Sequence, residues 1–434
     1  MYIYNNKLYL INIVVKSKER NFMNITNEVS NRFNNPFISL KHKNFRYYWI
    51  GMCISLIGTW MQNIAQPWLA YSLTNSPFLL SLIGILQFTP VLIFSLYAGI
   101  IIDKYSKKKI LICTQSASLV ITLILAILVW TGDVQYWHIL ILATALGIVN
   151  TFDMPTRQSI VIELVGKDYL MNGIALNSMS FNLARIIGPA IAGLVMGYAG
   201  VAACFFVNSI SFAAVLISLF FIKVEPVERK PQKSKKVIEE IKDGLKYIYN
   251  NKILFNTILV VAIVGTFAPN FGVLVPVFAK VILQQNETGF GILMSFMGFG
   301  SFAGAMFIAT LSTSGPKKLY IYAMPFLVGA ALIITGYTSV YLLTGIFLAI
   351  TGFFFIIFAS SANSTVQLNS GNEYRGRVMS VYTLVFAGST PLGNLYAGLL
   401  TEHFNARIGF AACGAIIIVL MIPLLIYKRT RNYK

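Results

Sequence analysis

Of fifteen acidic side chains in 434 residues, Asp153 alone falls inside a long apolar stretch. Arg157 follows four residues later, on the same face if the stretch is a helix. Such a pair either ties down a helix end or changes partners as a gating or coupling group. Arg185 stands about twelve residues into another apolar run, roughly 18 Å deep at 1.5 Å per residue. A cation at that depth faces a cavity or a specific partner, or else bonds backbone carbonyls. Uncharged amides mark further apolar runs: Gln62, Asn63 and Gln66, then Asn150, Asn270 and Asn363. Singly, each reads as a helix–helix hydrogen bond; the set as a whole is more suggestive. Pro67, Pro269 and Pro276 are expected to break two of these runs beside those residues.

Enzyme chemistry finds no footing. No His-Glu-x-x-His pattern or Ser/His/Asp set is present, and His138 and His403 sit at the ends of apolar runs. A phosphate-binding loop is missing as well, so movement of a solute has to draw on an ion gradient or on another protein's energy. Cys53, Cys113, Cys204 and Cys413 each lie in an apolar stretch without metal-ligand spacing, and read as small packing residues. No cofactor and no metal is expected.

The elements that carry these residues are membrane spans. Apolar residues make up 56% of the chain and charged residues 11%, against about 25% charged in soluble domains. A soluble fold of this length needs more charge on its surface, so much of this surface meets lipid. Runs long enough to cross a bilayer are predicted at 48–73, 79–102, 110–131, 136–156, 173–197, 201–222, 253–280, 289–311, 318–337, 340–366, 374–400 and 406–427. Their backbone groups have no water to bond, so the spans are helices; continuous rather than alternating apolarity excludes a barrel.

Charge orients them. With the N-terminus cytoplasmic, every one of the 34 Lys and Arg except Arg185, Lys280 and Arg407 falls in a cytoplasmic segment. The same asymmetry accounts for the net charge of +19 without nucleic acid as a partner. Both termini are expected in the cytoplasm and the protein in the cell membrane. Residues 1–44 are rich in Asn and Lys and read as a cytoplasmic tail, with Met23 as an alternative start. Residues 45–222 then form one six-helix bundle and 253–427 a second, with 428–434 a short tail. The linker 223–252 carries Ile238, Ile241, Leu245 and Ile248 on one face of a short amphipathic helix, suited to the membrane surface. Gly84-Ile85-Leu86 recurs as Gly291-Ile292-Leu293 near the start of the corresponding span of the second half, a trace of duplication.

Two motifs carry a family resemblance. Between spans two and three stands Gly99-Ile100-Ile101-Ile102-Asp103-Lys104-Tyr105-Ser106-Lys107-Lys108-Lys109. It resembles the signature loop of the major facilitator superfamily, Gly-x-x-x-Asp-Arg/Lys-x-Gly-Arg/Lys-Arg/Lys, with Ser106 in place of the usual glycine. In span five, Ala184-Arg185-Ile186-Ile187-Gly188-Pro189-Ala190-Ile191-Ala192-Gly193 resembles the antiporter motif of superfamily exporters, with Ala184 and Ala192 replacing glycines. On the residues alone, the alternative reading of this second segment is a packing kink with no directional meaning. Gly58-Thr59-Trp60-Met61-Gln62, Asp153-Met154-Pro155-Thr156-Arg157-Gln158 and Arg375-Gly376-Arg377-Val378-Met379-Ser380 extend the likeness. They point to the branch that holds the enterobactin exporter, transmembrane secretion effectors and drug-efflux proteins.

The resemblance implies an all-α membrane fold of twelve helices in two pseudo-symmetric six-helix bundles around a midplane cavity. It implies a secondary active transporter working by alternating access, exporting an amphipathic small molecule, drug-like or siderophore-like, in exchange for protons, and acting as a monomer. A nutrient or lipid importer on the same fold is the alternative. Gly99, Asp103, Lys104, Lys107 and Lys108 would form a gating loop that latches the halves at the cytoplasmic side, with Asp103 facing the start of span eleven. Arg185, Gly188, Pro189 and Gly193 would form the antiporter-like segment. Asp153, Arg157 and Arg185 are the coupling candidates, and the six amides line the substrate cavity.

Overall fold

The structure is a computed structural model, which describes residues 36–223, 237–310, 317–371 and 373–431. Lys43–Thr74 forms α1, Pro77–Lys104 α2, Lys107–Thr131 α3, Tyr136–Val165 α4, Leu170–Ala199 α5 and Val201–Phe221 α6. A connecting helix, Val237–Asn250, follows. Helix α7 comes in two pieces, Lys252–Phe267 and Phe271–Val277, the second running into a π turn over Phe278–Ile282. Then come α8 (Glu287–Thr310), α9 (Lys318–Tyr337), α10 (Tyr341–Asn369), α11 (Arg375–His403) and α12 (Ala406–Arg431).

Among the described residues, ten helices are long and apolar enough to cross a membrane by length and composition. Helices α1 and α11 are also long enough, at 32 and 29 residues, but carry more polar side chains. Tertiary packing places them among the others.

Local chemistry explains the helix ends. Pro77 opens α2, where its missing N–H costs nothing, and the Ser76 hydroxyl accepts the Leu79 N–H as an N-cap. Gly132 ends α3 with φ of 83°, a left-handed conformation that a β-carbon would strain. Asn251 caps α7 through the N–H groups of Ile253 and Leu254. The expected interruption of span seven occurs at 268–270, around Pro269. Span one is different. Helix α1 runs unbroken through Pro67: the proline removes a single ladder bond, the one to the carbonyl of Asn63, and the rest of the helix ladder continues past it.

The helices pack as two halves with a repeated pattern. In the first half α1 packs on α5, α2 on α4, α3 on α4 and α6; in the second α7 packs on α11, α8 on α10, α9 on α10 and α12. Each pairing thus recurs six helices later. The halves meet chiefly along two seams, α2 against α11 and α5 against α8, with smaller contacts of α1 and α2 on the second piece of α7. At the end bearing the 75–77 and 283–287 turns, one core runs through both halves and includes Trp68 stacked on Phe290 at 5.5 Å. At the opposite, basic end the first half has its own core of Phe45, Tyr48, Leu111, Ile160 and Leu219.

The connecting helix packs against the start of α11. Tyr247 stacks on Tyr374 at 4.5 Å, and its hydroxyl accepts the Gly371 N–H. The face expected to lie on the membrane is divided: Ile248 is buried here and Leu245 is exposed. The side chains of Ile238 and Ile241 lie outside the described residues.

Candidate functional site

The two seams are built from small residues. A β-carbon added to Gly291 on α8 would lie 2.6 Å from the Gly193 Cα on α5 and 2.6 Å from the Pro189 carbonyl oxygen. The Thr288 hydroxyl donates to the Gly193 carbonyl at 3.0 Å. Gly188, one turn deeper, lets Trp60 of α1 close against α5. The segment 184–193 therefore makes the contact between halves, and its glycines are there because backbone meets backbone. On the other seam Gly84 faces Asn394, and Gly398 faces Ser81. The repeated Gly-Ile-Leu thus supplies one glycine to each seam, Gly84 to the α2–α11 pair and Gly291 to the α5–α8 pair.

Polar contacts hold the same end. Glu402, near the end of α11, accepts the Ser76 hydroxyl at 2.8 Å and the Phe78 N–H at 3.1 Å, and so caps a helix of the opposite half. Lys280 reaches Asn75 at 3.4 Å and lies over the Tyr71 ring.

At the basic end the helices part. Ile93, Phe94, Ser95, Tyr97 and Gly99 of α2 are exposed, as are Phe181 and Leu183 of α5. A β-carbon built on Gly99 or Gly376 meets nothing within 4 Å. The glycine contacts between the halves thus lie toward the end bearing the 75–77 turn, while Gly99 and Gly376 at the basic end have open space beside them.

The gating-loop residues are held within their own half. Lys107 pairs with Glu163 at 2.8 Å and donates to the Ser159 carbonyl at 2.7 Å, joining α3 to α4. Lys108 bonds the Ile222 carbonyl, and Lys104 lies over Tyr105. Across the opening, Arg377 reaches Asp243 and Arg375 bonds the Gln367 carbonyl. Asp103 lies in the last turn of α2; its side chain is outside the described set.

Asp153 is 3% exposed. One carboxylate oxygen accepts Thr114 Oγ1 and Gln115 Nε2, both at 2.7 Å, and the other pairs with Arg157 Nε. The guanidinium also touches Met52, and the Tyr48 hydroxyl donates to the Arg157 carbonyl. The i, i+4 pairing expected from sequence is present; Thr114 and Gln115 complete it from α3. Their adjacent polar types inside an apolar span were the available signal.

Arg185 stands where the closed part of the α5–α8 seam ends. Its Nη2 donates to Ser301 Oγ of α8 at 3.1 Å, while its Nε is buried with no acceptor. The carbonyl of Arg185 has no helical N–H partner, because Pro189 lacks one, and Gly298 approaches it closely.

The structure divides the six amides. Asn63 is exposed, and Asn150 and Asn363 are half-buried. Asn363 accepts Gln367 Nε2 at 2.6 Å. Gln62 and Gln66 are enclosed: Asn208 of α6 donates to Gln62 at 2.6 Å, and Gln62 to Gln66 at 3.3 Å. Asn270 is fully buried, its amide nitrogen capping the Thr266 and Phe267 carbonyls where α7 breaks. These three are tied to helix packing in this state rather than turned to open space.

Among the described residues no group of His, Cys, Asp and Glu is placed to hold a metal.

Comparison with known proteins agrees with this arrangement. Residues 34–432 match the family model for the transmembrane secretion effector. The chain is 27% identical over 397 residues to the staphyloferrin A transporter of Staphylococcus aureus, covering 90% of this chain and 97% of that protein. It is 23% identical over 380 residues to the multidrug efflux pump Tap of Mycolicibacterium fortuitum, covering 85% and 92%. Among solved structures, the inward-facing, unoccupied form of a bacterial homologue of the human lysosomal transporter Spinster superposes with a TM-score of 0.68 at 12% identity, over 88% of this chain and 94% of that one. At that identity the likeness concerns the fold. With its span pattern, its two glycine seams and a match across nearly its whole length, the chain is a multi-pass membrane transporter, not an enzyme, and belongs to the transmembrane secretion effector family of the major facilitator superfamily.

Proposed function

We propose that this protein is a secondary active exporter of an amphipathic small molecule. It works by alternating access, exchanges substrate for protons, and acts as a monomer with both termini in the cytoplasm. The observation that carries the reading is the uneven seam: two helix pairs closed at one end by glycines and open at the basic end. Positive loops favour the cytoplasm, so the open end is the inner one and receives substrate from inside the cell. The export direction is supported by the antiporter-like segment 184–193 standing at the α5–α8 crossing, and by relatives named for efflux. In the opposite state the outer contacts part and the inner ends close. There Gly99, Asp103 and Lys104 meet the start of α11, while Lys107 and Lys108 hold the loop to its own half. Asn63, Asn150 and Asn363 contact the substrate. Asp153 and Arg157 form the coupling pair.

Everted membrane vesicles with a panel of fluorescent dyes test this. Accumulation of a dye on imposing an inward-acidic gradient, absent from vesicles lacking the protein, is the expected result. Uptake by right-side-out vesicles with the gradient acid outside, and none by everted ones, identifies an importer instead.

A further inference from the structure

The geometry points to Arg185 as the anion-binding group of the transport site, and therefore to a cargo that carries a carboxylate or a comparable oxyanion. This rests on the transporter reading above and narrows it to a substrate class.

Three observations converge. Arg185 is deep in α5, and no carboxylate pairs with it among the described residues; its single side-chain partner is the neutral Ser301 hydroxyl. Its Nε is buried without an acceptor. Away from the helix ends the single acid is Asp153, whose oxygens are taken by Thr114, Gln115 and Arg157. The Asp153–Arg157 pair cancels itself, so the described interior keeps one positive charge without a counter-charge. A buried cation is costly unless something compensates it, and polar residues in a span mark function by default.

The position suits a ligand. Above Arg185 the α5–α8 seam is closed where Gly193 meets Gly291, and one turn below it on the same face of α5 Phe181 is exposed. On this proposal a molecule coming from the basic end passes Phe181 and reaches the guanidinium where the glycine contacts of the seam begin. A planar guanidinium matches a carboxylate with two parallel hydrogen bonds, which are stronger than its bond to a hydroxyl. An anionic cargo displaces Ser301 and satisfies Nε, while a cationic one is repelled. Because Ser301 belongs to the other half, the exchange also removes a link between α5 and α8, so binding favours opening of the outer seam.

Fluorescein and rhodamine 6G share a xanthene frame and carry opposite charge. Their binding to the purified full chain in lipid nanodiscs is read by fluorescence anisotropy. Wild type is expected to bind fluorescein at least about tenfold more tightly than rhodamine 6G, as a charge-assisted pair allows. R185Q should abolish that preference, R185K should keep part of it through charge without the fork, and S301A should bind fluorescein at least as well as wild type. The lysine variant keeps the charge and so separates loss of recognition from loss of folding. A wild type that prefers rhodamine 6G, that binds no fluorescein, or whose fluorescein affinity survives R185Q unchanged overturns the proposal. Everted vesicles that accumulate a dye while R185Q leaves fluorescein affinity untouched would sink the anion site and leave export standing. Vesicles that accumulate nothing, with fluorescein binding lost in R185Q, would do the reverse.

Discussion

Gly193 and Gly291 touch backbone to backbone across the two halves: a β-carbon on Gly193 would lie 3.0 Å from the Gly291 Cα. No side chain fits between α5 and α8 at this crossing without moving one helix. In the proposed alternating-access cycle this contact has to be lost when the seam opens.

Gly291→Leu should therefore disfavour the present state. Overpacking costs about 1–3 kcal/mol, which shifts a two-state population by roughly 5- to 150-fold. The check is labelling of a Ser81→Cys reporter by a membrane-impermeant thiol reagent, with the four native cysteines replaced. Ser81 is buried at the outer α2–α11 seam, so labelling should accelerate in the Leu variant. An unchanged rate would mean that the two seams open independently.

Glu402 holds the same end by capping α2 from the opposite half. Glu402→Ala removes the one oxygen that accepts both bonds, at a cost of about 1 kcal/mol, in the range of an N-cap loss. The Ser81→Cys reporter should label several-fold faster, and Glu402→Gln, which keeps an acceptor, should fall between the two. If alanine and glutamine behave alike, the charge and not the hydrogen bonding holds the cap.

Asp153→Asn should uncouple transport from the pH gradient while passive exchange continues. In the present state each partner of the carboxylate is a donor, so proton uptake requires Arg157 to swing away. Removing one member of a buried pair costs about 3–5 kcal/mol, so the double variant Asp153→Asn, Arg157→Gln serves as the folding control. Dye accumulation that still follows an imposed gradient in either variant would make the pair structural.

Asp103→Asn should lose most transport at an equal protein level, because it removes charge without changing shape where the proposed opposite state would bring α2 to the start of α11. Near-normal dye accumulation in everted vesicles carrying this variant would show that the halves close at the inner end without it.

Much of the architecture was legible because membrane burial leaves a local record. Helix α3, predicted from Ile110, begins at Lys107, and α12, predicted to end at Tyr427, ends at Arg431. Both extensions are basic, since hydropathy stops at the lipid while the helix does not. The interruption of span seven was readable at Pro269, but the continuity of α1 through Pro67 was not. Whether a proline breaks a helix depends on which neighbours hold it.

The sequence by itself determined the class, the spans, the duplication, the sidedness of charge, and the Asp153–Arg157 pair, whose members are four residues apart and share a face whatever surrounds them. Only the tertiary structure decided which amides face open space. Gln62 is taken by Asn208, 146 residues away, and Arg185 by Ser301, 116 residues away. Such partners depend on how each helix is rotated about its axis and where it crosses its neighbour. Those quantities come from packing small residues across a seam, and hydropathy along one strand of sequence does not encode them. The glycine contacts between the halves belong to the same level, and the proposed alternating-access cycle makes them one of two packings of one sequence that differ by only a few kcal/mol.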